Sequence, residues 1–461
     1  MILPLAALSP NGLLFLAFVA IVGLVVLIAR FHLNAIVALT LVSMLLGLGA
    51  GMEPPKVADA FRDGVAATLG GLAMIIGLGT MLGKMLSESG GAQVVANGIV
   101  RLFGKERLDY AMMVAAFIIG VSVFFQVGLL LLGPIAFALA RETRMPILRI
   151  GLPLAAGMST AHGLIPPHPG PLAAINVLGA DLGKTIAWSL LVVGPPVALV
   201  TGPLLARWVT PRVPVEFGGL GATATAEASA TRSPAFAISL FTILLPVLLM
   251  LAATVGEVCW PVKVFPTGTW QADARRWADF LGHPTVAMLL AVLFSFWSFG
   301  TRCGLNASQI LRFSEQCLAP AAGVLLVIAA GGGFSKVLNA SGVGEALAAV
   351  GSALHMSPLL LGWLIAGMLR VAVGSATVSV TTAAGIMLPL VQTDPHVNRE
   401  LLVLSMGAGS LVLSHVNDGG FWLVKEYFGM DIGQTLQTWT VVETGVAVMS
   451  LAIILLVNTL V

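Results

Sequence analysis

The chain has 461 residues, of which 58% are hydrophobic and only 10% are charged, and its formal net charge is +2. This composition is typical of an integral membrane protein, and so small a net charge gives no indication of a nucleic-acid partner. The three cysteines lack CxxC or Cys/His ligand spacing, and their odd number argues against a disulfide framework. We therefore expect the lipid bilayer as the surroundings, and no cofactor.

Apolar runs that are long enough to cross a bilayer recur along the chain, and we expect roughly 10–14 membrane segments. The clearest runs are residues 13–29, 35–51, 69–85, 186–207, 235–255, 285–300 and 441–457. Residues 112–140 are too long for one span and contain Gly and Pro, so we predict a span with a re-entrant or kinked segment there. Trp260, Trp270 and Trp277 are predicted in a polar loop at the membrane interface.

An internal duplication relates the two halves of the chain. The segment GADLG at 179–183 recurs as GMDIG at 429–433, and residues 82–90 match residues 334–342 at nearly the same offset. Each half holds an odd number of predicted crossings, which predicts two repeats inverted about the membrane plane. Secondary transporters have this architecture, with the substrate held where broken helices of the two halves meet.

The predicted fold class is therefore an all-α polytopic membrane protein with two inverted-topology repeats and broken or re-entrant helices. We place the first transmembrane repeat at residues 1–208 and the second at 236–461. Residues 209–235 are rich in Gly, Ala and Thr without apolar periodicity, and we interpret them as a flexible central linker.

Two polar breaks lie at equivalent positions of the repeats. Residues 158–176 carry two histidines and four prolines, and residues 414–420 read SHVNDGG; the duplication aligns His168 with Asp418 and Gly170 with Gly420. In lipid, a broken helix persists only where protein or a water-filled cavity satisfies its backbone. Pro171 is the predicted first residue of a half-helix whose free amide groups would favour a carboxylate. Histidines and Asp418 could carry a coupling proton.

A second polar cluster lies at residues 370–382, RVAVGSATVSVTT, in an otherwise apolar run. Its Ser and Thr side chains could form a hairpin tip that offers hydroxyls to a polyol, although the same pattern is common where helices pack together. The repeat partner of this tip is residues 124–132, which include Gln126. Arg370 either neutralises a substrate carboxylate or lies at the membrane interface.

Other repeated polar residues have simpler interpretations. Lys84 and Lys336 are predicted to extend from helix ends toward the membrane surface, and Asp181 and Asp431 are predicted helix N-caps. The segment LGADLGKT at 178–185 has one residue too few between its glycines for a nucleotide-binding loop.

Over most of its length the chain resembles the GntP family of gluconate permeases. The segments that carry the resemblance are LGKMLSESGGA, FFQVGLLLLGPIAFALARE, STAHGLIPPHPGPLAA, GADLGKT and LSHVNDGGFWLVKEYFGMD. The resemblance implies a multi-pass proton symporter of the bacterial inner membrane for gluconate or a related small sugar acid. It also implies re-entrant hairpins, as in the broader ion-transporter group to which the family belongs.

We therefore predict a proton-coupled importer of gluconate-like acids and not an enzyme. The candidate substrate-binding residues are His168, Gly170, Ser159, Thr160, Gln126, Ser375, Thr377, Asn417, Gly419 and Arg370. The candidate proton-coupling residues are Asp418, His162 and His415.

Several alternatives stay open at the level of the sequence. The substrate could be another small carboxylate, such as glycerate, D-serine or a dicarboxylate. A membrane-embedded hydrolase would use Ser159 or Ser414 with His162 or His415. Freed backbone carbonyls could coordinate Na⁺ in place of proton coupling. The orientation of the termini is open, as is the choice between a monomer and a homodimer.

Overall fold

A computed structural model describes residues 9–215, 218–219, 230–260, 269–342, 356–416 and 418–460. Within these ranges the chain is helical and contains no strand. The helices of the first half are α1 Pro10–Ala29, α2 Ala35–Gly49, α3 Pro54–Glu88, α4 Gly91–Phe103, α5 Leu108–Gly120, α6 Phe125–Thr143, α7 Ile147–Leu164, α8 Pro169–Leu178 and α9 Leu182–Val209.

The helices of the second half begin after the central linker, of which residues 216–217 and 220–229 lie outside the described ranges. They are α10 Phe236–Cys259, α11 Trp270–Gly282, α12 Pro284–Cys303, α13 Ala307–Gln316, α14 Leu318–Ala340, α15 Pro358–Val373, α16 Ala376–Thr393, α17 Arg399–Gly409, α18 Gly419–Phe428 and α19 Ile432–Asn458.

The described residues contain nine helical stretches that are long and apolar enough to cross a membrane, and two shorter apolar helices accompany them. Large apolar side chains such as Phe18, Leu191 and Leu456 point outward from these helices. Exposed apolar surface on this scale is unfavourable in water and favourable in lipid, whose hydrocarbon is itself apolar. The prediction of an all-α polytopic membrane protein is confirmed.

The helices follow the same order in both halves. Helices α2, α5, α6, α8 and α9 correspond in order to α12, α15, α16, α18 and α19, whereas the single helix α3 corresponds to α13 and α14 together and α7 is longer than its counterpart α17. Residues 343–355 lie outside the described ranges. One contact also recurs. In the first half, the imidazole of His168 lies against the backbone carbonyl of Gly120. In the second half, the equivalent residues Asp418 and Arg370, each 250 positions further along the chain, form an ion pair. The duplication that the sequence indicates therefore extends to tertiary contacts.

The helix ends gather at two opposite ends of the bundle. At end I, Lys105 bonds to Glu142 at 2.5 Å and Arg207 bonds to Asp109 at 2.8 Å, which joins the start of α5 to the ends of α6 and α9. The ends of α3 and α12 also lie here, because the linker backbone near residue 230 hydrogen-bonds to both of them.

At end II, the backbone N–H of Asp181 donates to Glu400 at 2.9 Å, which joins the α8–α9 junction to the start of α17. The hairpin α5–α6 therefore enters the bundle from end I, whereas α15–α16 enters from end II. An inverted orientation of the two repeats requires these hairpins to enter from opposite ends. The inverted orientation itself stays a prediction.

Two local features predicted from the sequence agree with the structure. Asp181 and Asp431 are N-caps as expected, accepting from the backbone N–H groups of Lys184 and Gln434 at 2.7 Å each. The long run at 112–140 is interrupted at residues 121–124, between α5 and α6.

Three of the predictions made from the sequence need correction. Trp270 and Trp277 lie on helix α11 and not in a loop, because Thr269 caps an amphipathic segment there. Helix α8 begins at Pro169, so Pro171 occupies its third position and not its first. Lys84 does more than extend toward the surface, since it pairs with Glu88 at 2.6 Å.

Candidate substrate and proton site

Three helix N-termini converge on a cavity of about 240 Å³ in the middle of the bundle. Its walls include the first turns of α6, α16 and α18, and side chains from α7, α15 and α19 complete it. The lining residues on the three helix starts are Phe125, Gln126, Ser375, Ala376, Thr377, Asp418, Gly419 and Gly420. Helix N-termini present free amide groups and partial positive charge, so their convergence favours an anion.

The hairpin tip between α15 and α16 has a clear local cause. Gly374 ends α15 in a left-handed conformation, with φ of 79°, and its N–H bonds to the carbonyl of Arg370 at 2.9 Å. Ser375 then caps α16, its hydroxyl accepting from the backbone of Val378 at 3.4 Å. The sequence prediction of a tip at this position is confirmed, and the tip leaves the side chains of Ser375 and Thr377 on the cavity wall.

A buried ion pair forms one side of the cavity. Arg370 donates to the carboxylate of Asp418 and to the carbonyl of Gly374, the latter at 2.5 Å. Asp418 also accepts from the hydroxyl of Ser414 and from the backbone N–H of Gly420, which lies at 2.8 Å. An arginine, a hydroxyl and a backbone amide therefore all donate to this one carboxylate.

A second carboxyl group lines the same cavity and was missed at the level of the sequence. Glu443 lies in α19, and its residue is only 1% exposed. Its side chain accepts a hydrogen bond from the hydroxyl of Ser159 in α7. Among the described residues no Lys, Arg or His nitrogen pairs with it within 4.0 Å, in contrast to Asp418. An acidic residue inside an apolar span is itself a signal of function, and the stretch VVETGV carries that signal.

Two histidines from the first half lie beside the cavity. The rings of His162 and His168 are 4.9 Å apart in an edge-on arrangement, and Phe124 contacts both. His162 lines the cavity, and its Nδ1 atom has no hydrogen-bond partner within the described structure. His168 instead turns its Nε2 toward the carbonyl of Gly120, away from the lining.

A larger cavity of about 790 Å³ leads from this site to end I of the bundle. The two cavities share four lining residues, Gln126, His162, Ser375 and Thr377. The outer part of the larger one is lined by the end of α1, the start of α2 and the end of α3, including Lys84 and Ser87. The site therefore adjoins a larger cavity that extends toward one end of the bundle.

The structure brings together eight of the predicted site residues around the smaller cavity. These are Gln126, Ser159, His162, Arg370, Ser375, Thr377, Asp418 and Gly419.

Four other predicted residues lie outside its lining. Thr160 is fully buried in α7, His168 and Gly170 pack at the start of α8, and His415 contacts the carbonyl of Val371 at 3.0 Å. Asn417 lies outside the described residues. Within the described ranges, no group of three or more His, Cys, Asp or Glu side chains is placed to hold a metal ion.

Comparison with known proteins gives a consistent result along the whole chain. The model of the GntP family permeases matches residues 12–461. The chain belongs to the GntP permease family. It is 46% identical to a gluconate permease of Pseudomonas aeruginosa over 96% of both chains, and 43% identical to a gluconate permease of Zymomonas mobilis over 94% and 95%. Membership in the GntP family makes it a transporter and not an enzyme, embedded as a multi-pass protein in the bacterial inner membrane.

A solved structure shares the fold of this GntP family member. The YdaH transporter of Alcanivorax borkumensis superposes with a TM-score of 0.62 at 16% identity, covering 92% of this chain and 98% of that one. The similarity confirms the all-helical transporter fold.

Proposed function

We propose that this GntP family member imports gluconate or a closely related sugar acid together with protons. The observation that carries the proposal is the cavity itself, which combines the guanidinium of Arg370, whose Nε atom has no partner within the described structure, and three helix N-termini with hydroxyl and amide side chains. Arg370 and the helix starts suit a carboxylate, and the side chains of Gln126, Ser375 and Thr377 suit a row of hydroxyl groups. The relatives named gluconate permease support the same substrate class.

The size of the cavity supports a small solute. Pockets for drug-sized ligands are typically ~300–1,000 Å³, and the central cavity has about 240 Å³. A dicarboxylate would need a second cationic partner, and Arg370 is the cation that the described lining provides. A monocarboxylate with several hydroxyl groups therefore fits this lining better than a dicarboxylate does.

The arrangement of the serines argues against hydrolysis. The hydroxyl of Ser159 bonds to Glu443, and that of Ser414 bonds to Asp418 and accepts from the indole of Trp439 at 2.8 Å. A serine nucleophile needs a neighbouring base such as histidine to take its proton. In the described structure neither hydroxyl is bonded to a histidine.

Uptake of labelled gluconate into proteoliposomes tests the proposal. A pH gradient with the more acidic side outside should drive accumulation, and a proton ionophore should abolish it. An imposed Na⁺ gradient should have no effect. Unlabelled glycerate, D-serine and a dicarboxylate serve as competitors, each added in excess. Liposomes without protein provide the background.

Two results would overturn parts of the proposal. Accumulation driven by a Na⁺ gradient alone would show that Na⁺, and not the proton, is the coupling ion. Stronger competition by D-serine than by gluconate would show that D-serine is the preferred substrate. Whether the transporter is a homodimer stays a prediction, which mass measurement of the protein in detergent or nanodiscs decides.

A further inference from the structure

We infer that Glu443 is the group that binds the coupling proton, and this inference rests on the proposed proton-coupled function. The residue is absent from every repeated motif, since the duplication aligns it with Val193. Its position in the three-dimensional structure singles it out. It lies on the wall of the central cavity, beside the arginine that would hold the substrate carboxylate.

The first step of the argument compares the two carboxyl groups in the cavity. Asp418 has Arg370, Ser414 and the N–H of Gly420 as donors, so its negative charge is compensated. Glu443 has the hydroxyl of Ser159 and, in the described structure, no basic partner within 4.0 Å. An uncompensated carboxylate is costly inside a membrane, and a bound proton removes that cost.

The second step considers the other groups that face Glu443. Arg370 from α15, Asp418 at the start of α18 and His162 from α7 share its cavity. The remaining helices that pack against α19 are α9 and α17, and their described residues place no charged or titratable side chain in the lining. Arg370 is already neutralised by Asp418, so Glu443 is left as the one charge in the described lining without a counterion.

The third step links the proton to the substrate. A carboxylate that enters the cavity brings a negative charge close to Arg370 and also close to Glu443. If Glu443 were charged, the two anions would repel each other in a medium of low dielectric constant. Protonation of Glu443 removes this repulsion, so substrate and proton bind together, as symport requires.

The chemical step balances without any further reactant. Glu443 takes a proton from hydronium in the cavity water when the site faces the outside, forming one O–H bond. When the site faces the inside, that bond breaks and the proton passes to water. One proton moves inward with the substrate, and no electrons are transferred.

Ser159 is then a positioning residue for Glu443. Its hydroxyl points at the carboxyl group from α7, while α19 carries the carboxyl itself. The contact fixes the orientation of the side chain toward the cavity. Glu443 thus has one hydrogen-bond donor in the described structure, whereas Asp418 has three.

The test compares Glu443→Gln with the wild type in proteoliposomes, using the sugar acid that the wild type accumulates best. The amide resembles the protonated acid but cannot release a proton. We expect Glu443→Gln to lose at least tenfold in accumulation driven by a pH gradient. It should retain counterflow, the exchange of labelled for unlabelled substrate, which needs no net proton movement.

Ser159→Ala provides a second readout. If the hydroxyl orients Glu443, the pH profile of uptake by this variant should be displaced from that of the wild type. An unchanged profile would contradict the positioning role of Ser159.

Infrared spectroscopy tests the proton site without transport. The wild type in lipid should show a protonated-carboxyl band that titrates with pH, and Glu443→Gln should lack it. The inference is overturned if Glu443→Gln accumulates substrate like the wild type, or if folded Glu443→Gln loses counterflow together with accumulation. If the wild type titrates at Glu443 but carries no sugar acid, the proposed function fails while the proton site stands.

Discussion

At the scale of single residues, the guanidinium of Arg370 is the least replaceable group in the site. It holds Asp418 and the carbonyl of Gly374 together, and its Nε atom has no partner within the described structure. A lysine keeps the charge but offers a single nitrogen, so it cannot hold both partners in the same geometry and also meet a substrate carboxylate.

We therefore expect Arg370→Lys to raise the KM for substrate uptake by about tenfold or more, the equivalent of losing one charge-assisted hydrogen bond. Arg302→Lys is the matched control, because Arg302 is exposed at end I and lies outside the lining of the described cavity. Initial rates of uptake over a range of substrate concentrations measure both variants. Equal KM values for the two would remove Arg370 from the binding site.

Asp418 leads to a prediction about stability. Replacing it with Asn leaves Arg370 buried without its counter-charge, which costs roughly 3–5 kcal/mol in soluble proteins. We expect Asp418→Asn to lower the melting temperature in detergent even when no substrate is present. Asp273→Asn removes an exposed ion pair, with Arg276 at 3.1 Å, and should change the melting temperature little. A melting temperature of Asp418→Asn equal to that of the wild type would show that the pair is not needed for stability.

At the scale of the helices, the site depends on where each helix starts. Gly374 fixes the start of α16, because its φ of 79° is a conformation that side chains with a Cβ adopt at a cost of roughly 1–2 kcal/mol. We expect Gly374→Ala to move the tip and to reduce substrate uptake several-fold. Gly70→Ala is the control, since a Cβ at Gly70 meets no atom within 4 Å and its backbone is helical.

Uptake rates are normalised to the amount of folded protein for both glycine variants. If Gly374→Ala transports as well as Gly70→Ala, the left-handed residue at the tip is not required for the geometry of the site.

The helix breaks could be predicted from the sequence because their causes are local. Prolines, glycines and polar residues inside apolar runs mark the starts of α8, α16 and α18, and the duplication pairs them between the halves. The predicted start of α8 was two residues too late, because Pro169 fits the first helical position as well as Pro171 does.

Contacts between distant segments could not be predicted in this way. Glu443 comes close to Ser159 only because α19 packs against α7, and no repeat or motif marks either residue as the partner of the other. The same holds for Trp439, whose indole bonds to Ser414 across 25 residues. His168 was predicted to bind substrate from its type and position, and its ring turned out to be engaged by the backbone of Gly120.

At the scale of the whole molecule, the two ends of the bundle differ in charge. Among the described residues, the lysines and arginines at or near end I are Arg30, Lys84, Arg101, Lys105, Arg107, Arg141, Arg144, Arg149, Arg207, Arg212, Arg232, Arg302, Arg312 and Lys425. The described lysines and arginines at end II are fewer, namely Lys56, Arg62, Lys184, Arg275, Arg276, Lys336 and Arg399. Cytoplasmic loops carry the excess of Lys and Arg in membrane proteins, and we therefore predict that end I faces the cytoplasm.

This prediction also bears on the state of the transporter, because the larger cavity extends toward end I. The structure is then the inward-facing one. The charges could not be sorted from the sequence alone, since the re-entrant hairpins return to the side from which they enter. Counting each apolar run as a crossing distributes the basic residues over both faces.

The natural cysteines test this orientation. Cys259 is exposed at the end of α10, at end II, and Cys317 lies on the wall of the larger cavity on the path to end I. A maleimide that cannot cross membranes should therefore modify Cys259 in intact spheroplasts and Cys317 in inverted vesicles. Cys259→Ser and Cys317→Ser identify the two signals, and Cys303 is buried and should stay unreactive. Labelling of Cys317 in spheroplasts and of Cys259 in inverted vesicles would reverse the orientation and make the same structure an outward-facing one.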